Sequence, residues 1–231
     1  MSVIYNIMGS LLLFIYNIVN NYAISIIIFT VVVKVVMVPL TFKQLRSTKL
    51  MQEMQPKIQA IQKKYKHDQE TLNVKLMELY KENKFNPLSG CLPMFIQFPI
   101  LIGLFGVLRD PLTYVFKGNA ALNAVATQAP FLWLNNLVDP DLITISGFGV
   151  PGILPIIAAI TSYFSMSSMQ TAGQEQPQMM KTMNMMMPFL ILLWGRSFPA
   201  GLMLYWTISN LFQMVQQLLI NKAGNKPKEE L

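Results

Sequence analysis

Lys34 is the most informative single residue, because it stands inside an apolar run that extends from Ala23 to Leu40. Runs of this length are typical of bilayer-spanning helices, and a charge near the bilayer centre costs several kcal/mol. Thr30 and Thr41 project to the same side of a helix as Lys34 and form a polar stripe with it. One interpretation is that the long Lys stem carries the ammonium to the membrane surface. The stripe favours the other interpretation, a functional cation facing a water-filled cavity.

Two further apolar runs carry polar residues at helical spacing. Thr161, Ser165 and Ser168 share one face, and the second set comprises Trp206, Asn210, Gln213 and Gln217. Ordinary hydrogen bonds between membrane helices would explain each of these residues singly. Three stripes together predict a wet cavity, because lipid cannot satisfy polar groups. The candidate lining residues are Lys34, Thr30, Gln97, Thr161, Ser165, Trp206, Asn210 and Gln213.

Catalytic patterns are absent from the sequence. No glycine loop precedes a Lys and a Ser or Thr in the manner of a phosphate-binding site, and His, Cys and carboxylates show no metal-ligand or nucleophile spacing. The lone Cys91 excludes an internal disulfide framework and a multi-cysteine metal site. The sequence therefore predicts a protein that is not an enzyme, with no catalytic residue, no metal and no cofactor.

The elements that must position the stripes are membrane helices. With 53% hydrophobic and 13% charged residues, the chain departs from the composition of soluble domains. We expect an all-α polytopic membrane protein. The predicted transmembrane helices cover residues 23–42, 87–109, 150–168, 179–196 and 201–220.

The basic residues predict the orientation. Ten Lys and Arg lie in 41–87 and four more in 169–182 and 221–231, against three on the other side of the membrane. The positive-inside rule therefore predicts an external amino terminus and a cytoplasmic carboxyl terminus. It also predicts an external loop at 110–149, a cytoplasmic loop at 169–178 and a cytoplasmic tail at 221–231.

Two segments outside the spans have amphipathic patterns. In residues 1–22, polar residues lie on one side of a helix and apolar residues on the other, and this pattern predicts an external interfacial helix. Residues 43–86 are basic and polar, but they carry an apolar seam that includes Met54 and Ile58 and a second seam that includes Leu76 and Leu79. This pattern predicts a cytoplasmic helical hairpin.

The run from Asn86 to Pro93, continued by Gln97, Pro99 and Ile100, resembles the signature of the YidC family of membrane protein insertases. The resemblance extends from Ile4 to Ile220. It implies five spans, an external amino terminus and a hydrophilic groove open to the cytoplasm and to lipid. The family usually carries an Arg in the groove, and Lys34 stands at that position, which keeps the charge but loses the guanidinium fork.

The resemblance implies an insertase in the bacterial plasma membrane. A client's external tail, when acidic, would be drawn into the groove by Lys34, and its hydrophobic segment would then pass into lipid. The partners so implied are newly made membrane proteins and the bilayer. The basic hairpin and tail are compatible with ribosome contact, a Sec-type translocon is a further candidate, and no specific nucleic acid is expected.

Two alternatives stay open at the level of the sequence. One is a small-solute or ion transporter that uses Lys34, against which stands the absence of a carboxylate from every predicted span. The other is an assembly chaperone that acts only as part of a larger translocon.

Overall fold

The computed structural model describes residues 2–83, 85, 92–145, 147–168 and 178–224. Most of the Asn86–Pro93 signature, most of the predicted cytoplasmic loop and the end of the predicted tail lie outside the described residues. The chain is mostly helical. Its elements are α1 (Ser2–Val19), α2 (Tyr22–Lys64), α3 (Gln69–Glu82), α4 (Leu92–Arg109), α5 (Pro111–Tyr114), α6 (Ala120–Thr127), β1 (Leu142–Ile145), β2 (Phe148–Pro151), α7 (Ile153–Ser168), α8 (Gln178–Gly195) and α9 (Ala200–Gly224).

The described residues form two compact units. The first contains residues 2–35, 100–145, 147–168 and 179–224, and the second contains residues 36–83, 85, 92–99 and 178. Helices α2 and α4 are divided between the units, as is α8 by its first residue. Thr30 and Lys34 belong to the first unit and Gln97 to the second.

The first unit has a continuous apolar core to which α1, α2, α4, α7, α8 and α9 all contribute. Glycines allow α1 to approach its neighbours closely. A Cβ added at Gly9 would overlap the carbonyl oxygen of Tyr114 in α5, and one at Gly106 would lie 2.8 Å from the ring of Tyr5. Larger residues at these positions would therefore force α1 away from α5 and from α4.

Two stretches of helix are long and apolar enough to cross a membrane: Ser2–Val19, which is α1, and Tyr22–Phe42 within α2. Shorter apolar helical stretches within the described residues are Gln97–Arg109, Ile153–Ser168 and Met185–Trp194. We predicted that residues 1–22 form an interfacial helix. The structure shows α1 as an apolar helix that buries Leu12, Ile15 and Tyr16 in the core of the first unit.

The segment between α4 and α7 is not wholly helical, in contrast to the expected all-α architecture. Strands β1 and β2 form an antiparallel two-stranded sheet, with Leu142 opposite Pro151 and Ile145 opposite Phe148. Gly147 in the turn has φ +84°, a conformation that glycine adopts without steric penalty. The β-branched and aromatic residues of both strands favour extended backbone.

In the second unit, the end of α2 and helix α3 enclose a small apolar cluster. Met54 and Ile58 of α2 are buried with Leu79 of α3 and Phe85 beyond it. The Asp68 side chain caps α3 by accepting a 3.0 Å hydrogen bond from the backbone N–H of Thr71.

Candidate functional site

Helices α7 and α9 of the first unit pack along one another. Four small residues of α7 are buried, namely Ala158, Ala159, Ser162 and Ser165. Small side chains let two membrane helices approach closely enough for short polar side chains to bridge them. The α7–α9 interface is therefore suited to side-chain hydrogen bonds.

The polar contacts of this interface centre on Ser162. The carboxamide of Asn210 donates a 2.8 Å hydrogen bond to the Ser162 hydroxyl, and the Trp206 indole N–H donates to the same oxygen at 3.2 Å. Trp206 and Asn210 are one helical turn apart, so both reach the same acceptor. We call Thr161, Ser162, Trp206 and Asn210 the α7–α9 polar cluster.

Thr161 connects the cluster to its own helix. Its hydroxyl lies 2.8 Å from the carbonyl oxygen of Ile157, to which it donates, and it accepts from Asn210 Nδ2 at 3.3 Å. The Asn210 nitrogen also lies 3.4 Å from the carbonyl oxygen of Ala158. Since an amide nitrogen has two hydrogens, these longer contacts share one donor, and the bond to Ser162 is the strongest by length.

Two other predicted lining residues lie one turn beyond the cluster. Ser165 follows Ser162 on α7 and is buried, and its carbonyl oxygen accepts from the Ser168 hydroxyl at 2.8 Å. Gln213 follows Asn210 on α9 and is half-buried. The predicted stripes on α7 and α9 thus lie beside a hydrogen-bonded contact between these two helices.

Ser162 was missed in the sequence analysis, which grouped Thr161, Ser165 and Ser168. It lies three residues before Ser165 and four after Ala158, so it shares a helical face with both. That row of small residues was the signal that could have identified it.

The candidate lining residues on α2 make no hydrogen bond to another helix in the described part of the chain, unlike Asn210 and Trp206 of α9. Thr30 is fully buried, and its hydroxyl donates a 2.7 Å hydrogen bond to the carbonyl oxygen of Ile26. This donor is satisfied within its own helix. Lys34, one turn later, is partly exposed. Within the described part of the chain, no ion pair or hydrogen bond joins Thr30 or Lys34 to the α7–α9 polar cluster.

The chemistry of the α7–α9 polar cluster is that of hydrogen bonding. Its functional groups are an amide, an indole and two hydroxyls, which donate and accept hydrogen bonds but do not change charge near neutral pH. Lys34 supplies a positive charge, and helices α7, α8 and α9 contain no Asp or Glu to neutralise it. Gln97, the remaining candidate, is half-buried in the second unit.

Comparison with known proteins identifies the family. The model of the 60Kd inner membrane protein family matches residues 14–228. The chain is 38% identical to the membrane protein insertase YidC of Fusobacterium nucleatum over 228 residues, covering 97% of this chain and 100% of that protein. It is 35% identical over 230 residues to the insertase YidC of Caldanaerobacter subterraneus, covering both chains completely.

A solved structure agrees with these relatives. The crystal structure of an active YidC insertase with its first transmembrane domain resolved superposes with a TM-score of 0.65 at 27% identity, over 93% of this chain. The present chain spans 45% of the length of that solved chain. The chain therefore belongs to the YidC family of membrane protein insertases, bacterial inner membrane proteins that are not enzymes.

Proposed function

We propose that this chain moves the short external tails of client proteins through a positively charged hydrophilic groove and releases their hydrophobic segments into lipid. The residues we assign to the groove are Lys34, Thr30, Gln97, Thr161, Ser165, Trp206, Asn210 and Gln213. Newly made membrane proteins are the proposed clients. The ribosome is proposed as a further partner on the basic charge of the chain, and a Sec-type translocon is proposed on the family resemblance.

The observation that carries the proposal is the α7–α9 polar cluster. Trp206 and Asn210 are only half-buried, so part of each side chain remains free to meet another molecule. In a lipid-facing environment, the backbone of a non-helical client tail and its polar side chains have no hydrogen-bonding partners of their own. Amide, indole and hydroxyl groups held between two apolar helices offer such partners without regard to client sequence.

Lys34 supplies the attraction for acidic tails. A single positive charge beside apolar helices acts more strongly than one in bulk water, because the effective dielectric constant there is lower than that of water. No carboxylate on α7, α8 or α9 competes with the client for this charge. An acidic tail would therefore be stabilised near Lys34 more than a neutral or basic one.

Lipid supplies the net driving force. Transfer of about 20 apolar residues of the client into the bilayer is favourable by the hydrophobic effect. The groove lowers the barrier by keeping the tail hydrated and hydrogen-bonded during part of its passage. No nucleotide is needed in this scheme.

We further propose that the chain has five spans, an external amino-terminal helix and a cytoplasmic hairpin that receives clients. The positive-inside bias supports the orientation. Single cysteines introduced at Lys117 and at Lys63, in a Cys91→Ser background, test it with a membrane-impermeant maleimide in right-side-out vesicles. We expect labelling at position 117 and none at 63, and the reverse pattern would refute the orientation.

Insertion of a single-span client with an acidic external tail tests the groove. The client is presented to liposomes that contain only this protein, and protection of the tail from added protease is measured. Wild type and Lys34→Arg should protect the tail, whereas Lys34→Ala should lose most of the protection. Lys117→Asn is the matched control, because it removes an exposed charge at a position with φ 49°, which asparagine tolerates.

Three outcomes would contradict parts of this proposal. Full activity of Lys34→Ala would show that the charge is not the attractive element. Activity of wild type equal to empty liposomes would favour an assembly chaperone that needs a translocon. Undiminished insertion after deletion of residues 51–82 would remove the hairpin from client reception.

A further inference from the structure

The β1–β2 hairpin presents an apolar face that the protein itself does not cover. Cross-strand partners share a face of the sheet, which puts Ile143 with Val150 and Ile145 with Phe148 on the same side. Ile143, Ile145 and Phe148 are 44%, 58% and 76% exposed. Val150 is half-buried, and exposure of this degree at the three other apolar positions of one face is unusual in a protein surrounded by water.

The opposite face of the hairpin differs at its outer end. There Thr144 is paired with Gly149, opposite the face that carries Ile145 and Phe148. Leu142, which is 42% exposed and lies beside Gly149, is the large exposed apolar side chain of that opposite face, so the face of Ile145 and Phe148 is the more apolar of the two. This asymmetry matches a boundary between an apolar and an aqueous phase.

Helix α7, which follows the hairpin in the chain, also has exposed apolar residues. Only Gly152 separates β2 from α7, whose Ile153, Ile156 and Ile160 are also exposed. No Lys, Arg, Asp or Glu occurs anywhere in residues 142–168. A helix with this composition in a member of a membrane protein family has lipid as its natural surroundings, and the hairpin extends the same uncharged surface.

The hairpin is held in a defined place relative to α7. The Gly152 N–H donates to the carbonyl oxygen of Asp141 at 2.8 Å, and the Leu154 N–H donates to the Asp141 carboxylate at 2.7 Å. The same carboxylate accepts from the indole N–H of Trp133 at 3.2 Å. These bonds tie both ends of the hairpin to the first turn of α7, next to an exposed Trp of the kind enriched at membrane interfaces.

We propose that the β1–β2 hairpin is an interfacial membrane anchor whose Ile143, Ile145, Phe148 and Val150 face rests on the lipid leaflet at which α7 begins. Its depth follows from the backbone. The sheet has two strands, so the outer edge of each strand leaves N–H and C=O groups without sheet partners. Such groups cannot enter the hydrocarbon core, and the hairpin therefore lies flat at the level of the headgroups.

The test places an environment-sensitive fluorophore on each face. In a Cys91→Ser background, Ile145→Cys and Thr144→Cys are labelled with NBD and reconstituted into liposomes of phosphatidylethanolamine and phosphatidylglycerol. Quenching is measured with iodide in water, with a nitroxide lipid labelled near the headgroup and with one labelled near the chain end. Client insertion by both labelled variants verifies that they remain folded.

The proposal predicts a severalfold lower iodide quenching for the probe at position 145 than for the probe at 144, together with blue-shifted emission. The headgroup-proximal nitroxide should quench the 145 probe more than the chain-end nitroxide. Equal iodide quenching at both positions would overturn the proposed membrane anchor and would favour a protein, instead of lipid, as the partner of the apolar face. Stronger quenching by the chain-end nitroxide would overturn the interfacial depth.

Discussion

The α7–α9 pair of the first unit and the α2–α3 hairpin of the second are both helix pairs with buried apolar residues, but only the α7–α9 pair adds a cluster of polar side chains that join its two helices. Between α7 and α9, Asn210 and Trp206 converge on Ser162, while apolar residues such as Ile160 and Val215 are exposed. In the α2–α3 hairpin, Met54, Ile58 and Leu79 are buried, and most exposed positions are polar, apart from Val74 and Met77 of α3. Hydrogen bonds, which lipid cannot provide, join α7 to α9. Contacts between apolar side chains, which water cannot provide, join α2 to α3.

The two pairs differ because their separated helices would be surrounded by different solvents, lipid for α7 and α9 and water for α2 and α3. In lipid, apolar side chains gain little by leaving one apolar environment for another, so close packing and hydrogen bonds decide the pairing. In water, burial of apolar surface drives association, and exposed polar groups are already solvated. The comparison thus predicts different sensitivities to substitution in the two regions.

The largest expected loss of stability is in the α2–α3 hairpin. Ile58→Ala removes a side chain that is 3% exposed, and a buried Ile→Ala change costs about 2–5 kcal/mol. Hydrogen exchange of the α3 amides should accelerate accordingly, while amides of α7 and α9 keep their protection. Gln62→Ala, at an exposed position of the same helix, is the control. Unchanged exchange in Ile58→Ala would show that the apolar cluster does not hold the hairpin.

A smaller effect is expected at the α7–α9 polar cluster. Asn210→Ala should lower the free energy of unfolding in mixed micelles by about 1 kcal/mol, typical of hydrogen bonds between membrane helices. Because Ser162 and Asn210 share a 2.8 Å hydrogen bond, the double variant with Ser162→Ala should lose less than the sum of the single variants. Val215→Ala, at an exposed position of α9, is the control. Strict additivity would argue against this bond as the link between the helices.

The Asp68 cap of α3 should make a still smaller contribution to the stability of α3, and this contribution should depend on pH. Hydrogen bonds from the side chain and the backbone N–H of Thr71 lower the pKa of the Asp68 carboxyl. A lowered pKa in the folded state means that the cap stabilises α3 at neutral pH and that this stabilisation is lost as the pH falls through the lowered pKa. Protection of the first α3 amides should decrease on acidification in wild type. In Asp68→Asn, which keeps an acceptor but no charge, that decrease should be absent, and its persistence would assign the pH effect to another group.

The smallest effect on stability is expected for removal of the ion pair between Lys75 and Glu78 in the α2–α3 hairpin. The nitrogen and oxygen are 2.7 Å apart, but the side chains are 43% and 50% exposed, and exposed pairs contribute little. Lys75→Ala should leave α3 exchange unchanged within error at physiological salt. A loss as large as that of Ile58→Ala would mean that charge pairing, rather than the apolar cluster, specifies the hairpin.

Much of the site could be predicted from residue type and spacing. The polar stripe of Trp206 and Asn210 was visible because helical periodicity is a property of one chain segment. The acceptor opposite them could not be chosen from the sequence. Thr161, Ser162 and Ser165 are chemically similar, and only the rotation of α7 against α9 decides that Ser162 receives both donors.

The β1–β2 hairpin is a second feature that the sequence analysis did not anticipate. Two short apolar runs separated by Ser146 and Gly147 carry the signal of a hairpin, but the same residues were assigned to the end of a loop and the start of a span. Apolar runs of this length do not distinguish a strand from a helix by periodicity.

The sequence by itself determined membrane residence, the positive-inside bias and the family, because apolar run length, charge placement and the Asn86–Pro93 signature are local properties of the chain. Only the tertiary structure decided that Thr30 bonds to its own helix while Asn210 bonds to another. It alone showed that the end of the predicted external loop and the start of the third predicted span form a sheet with an uncovered apolar face. Such contacts depend on how packed elements are rotated and spaced, which no single segment specifies.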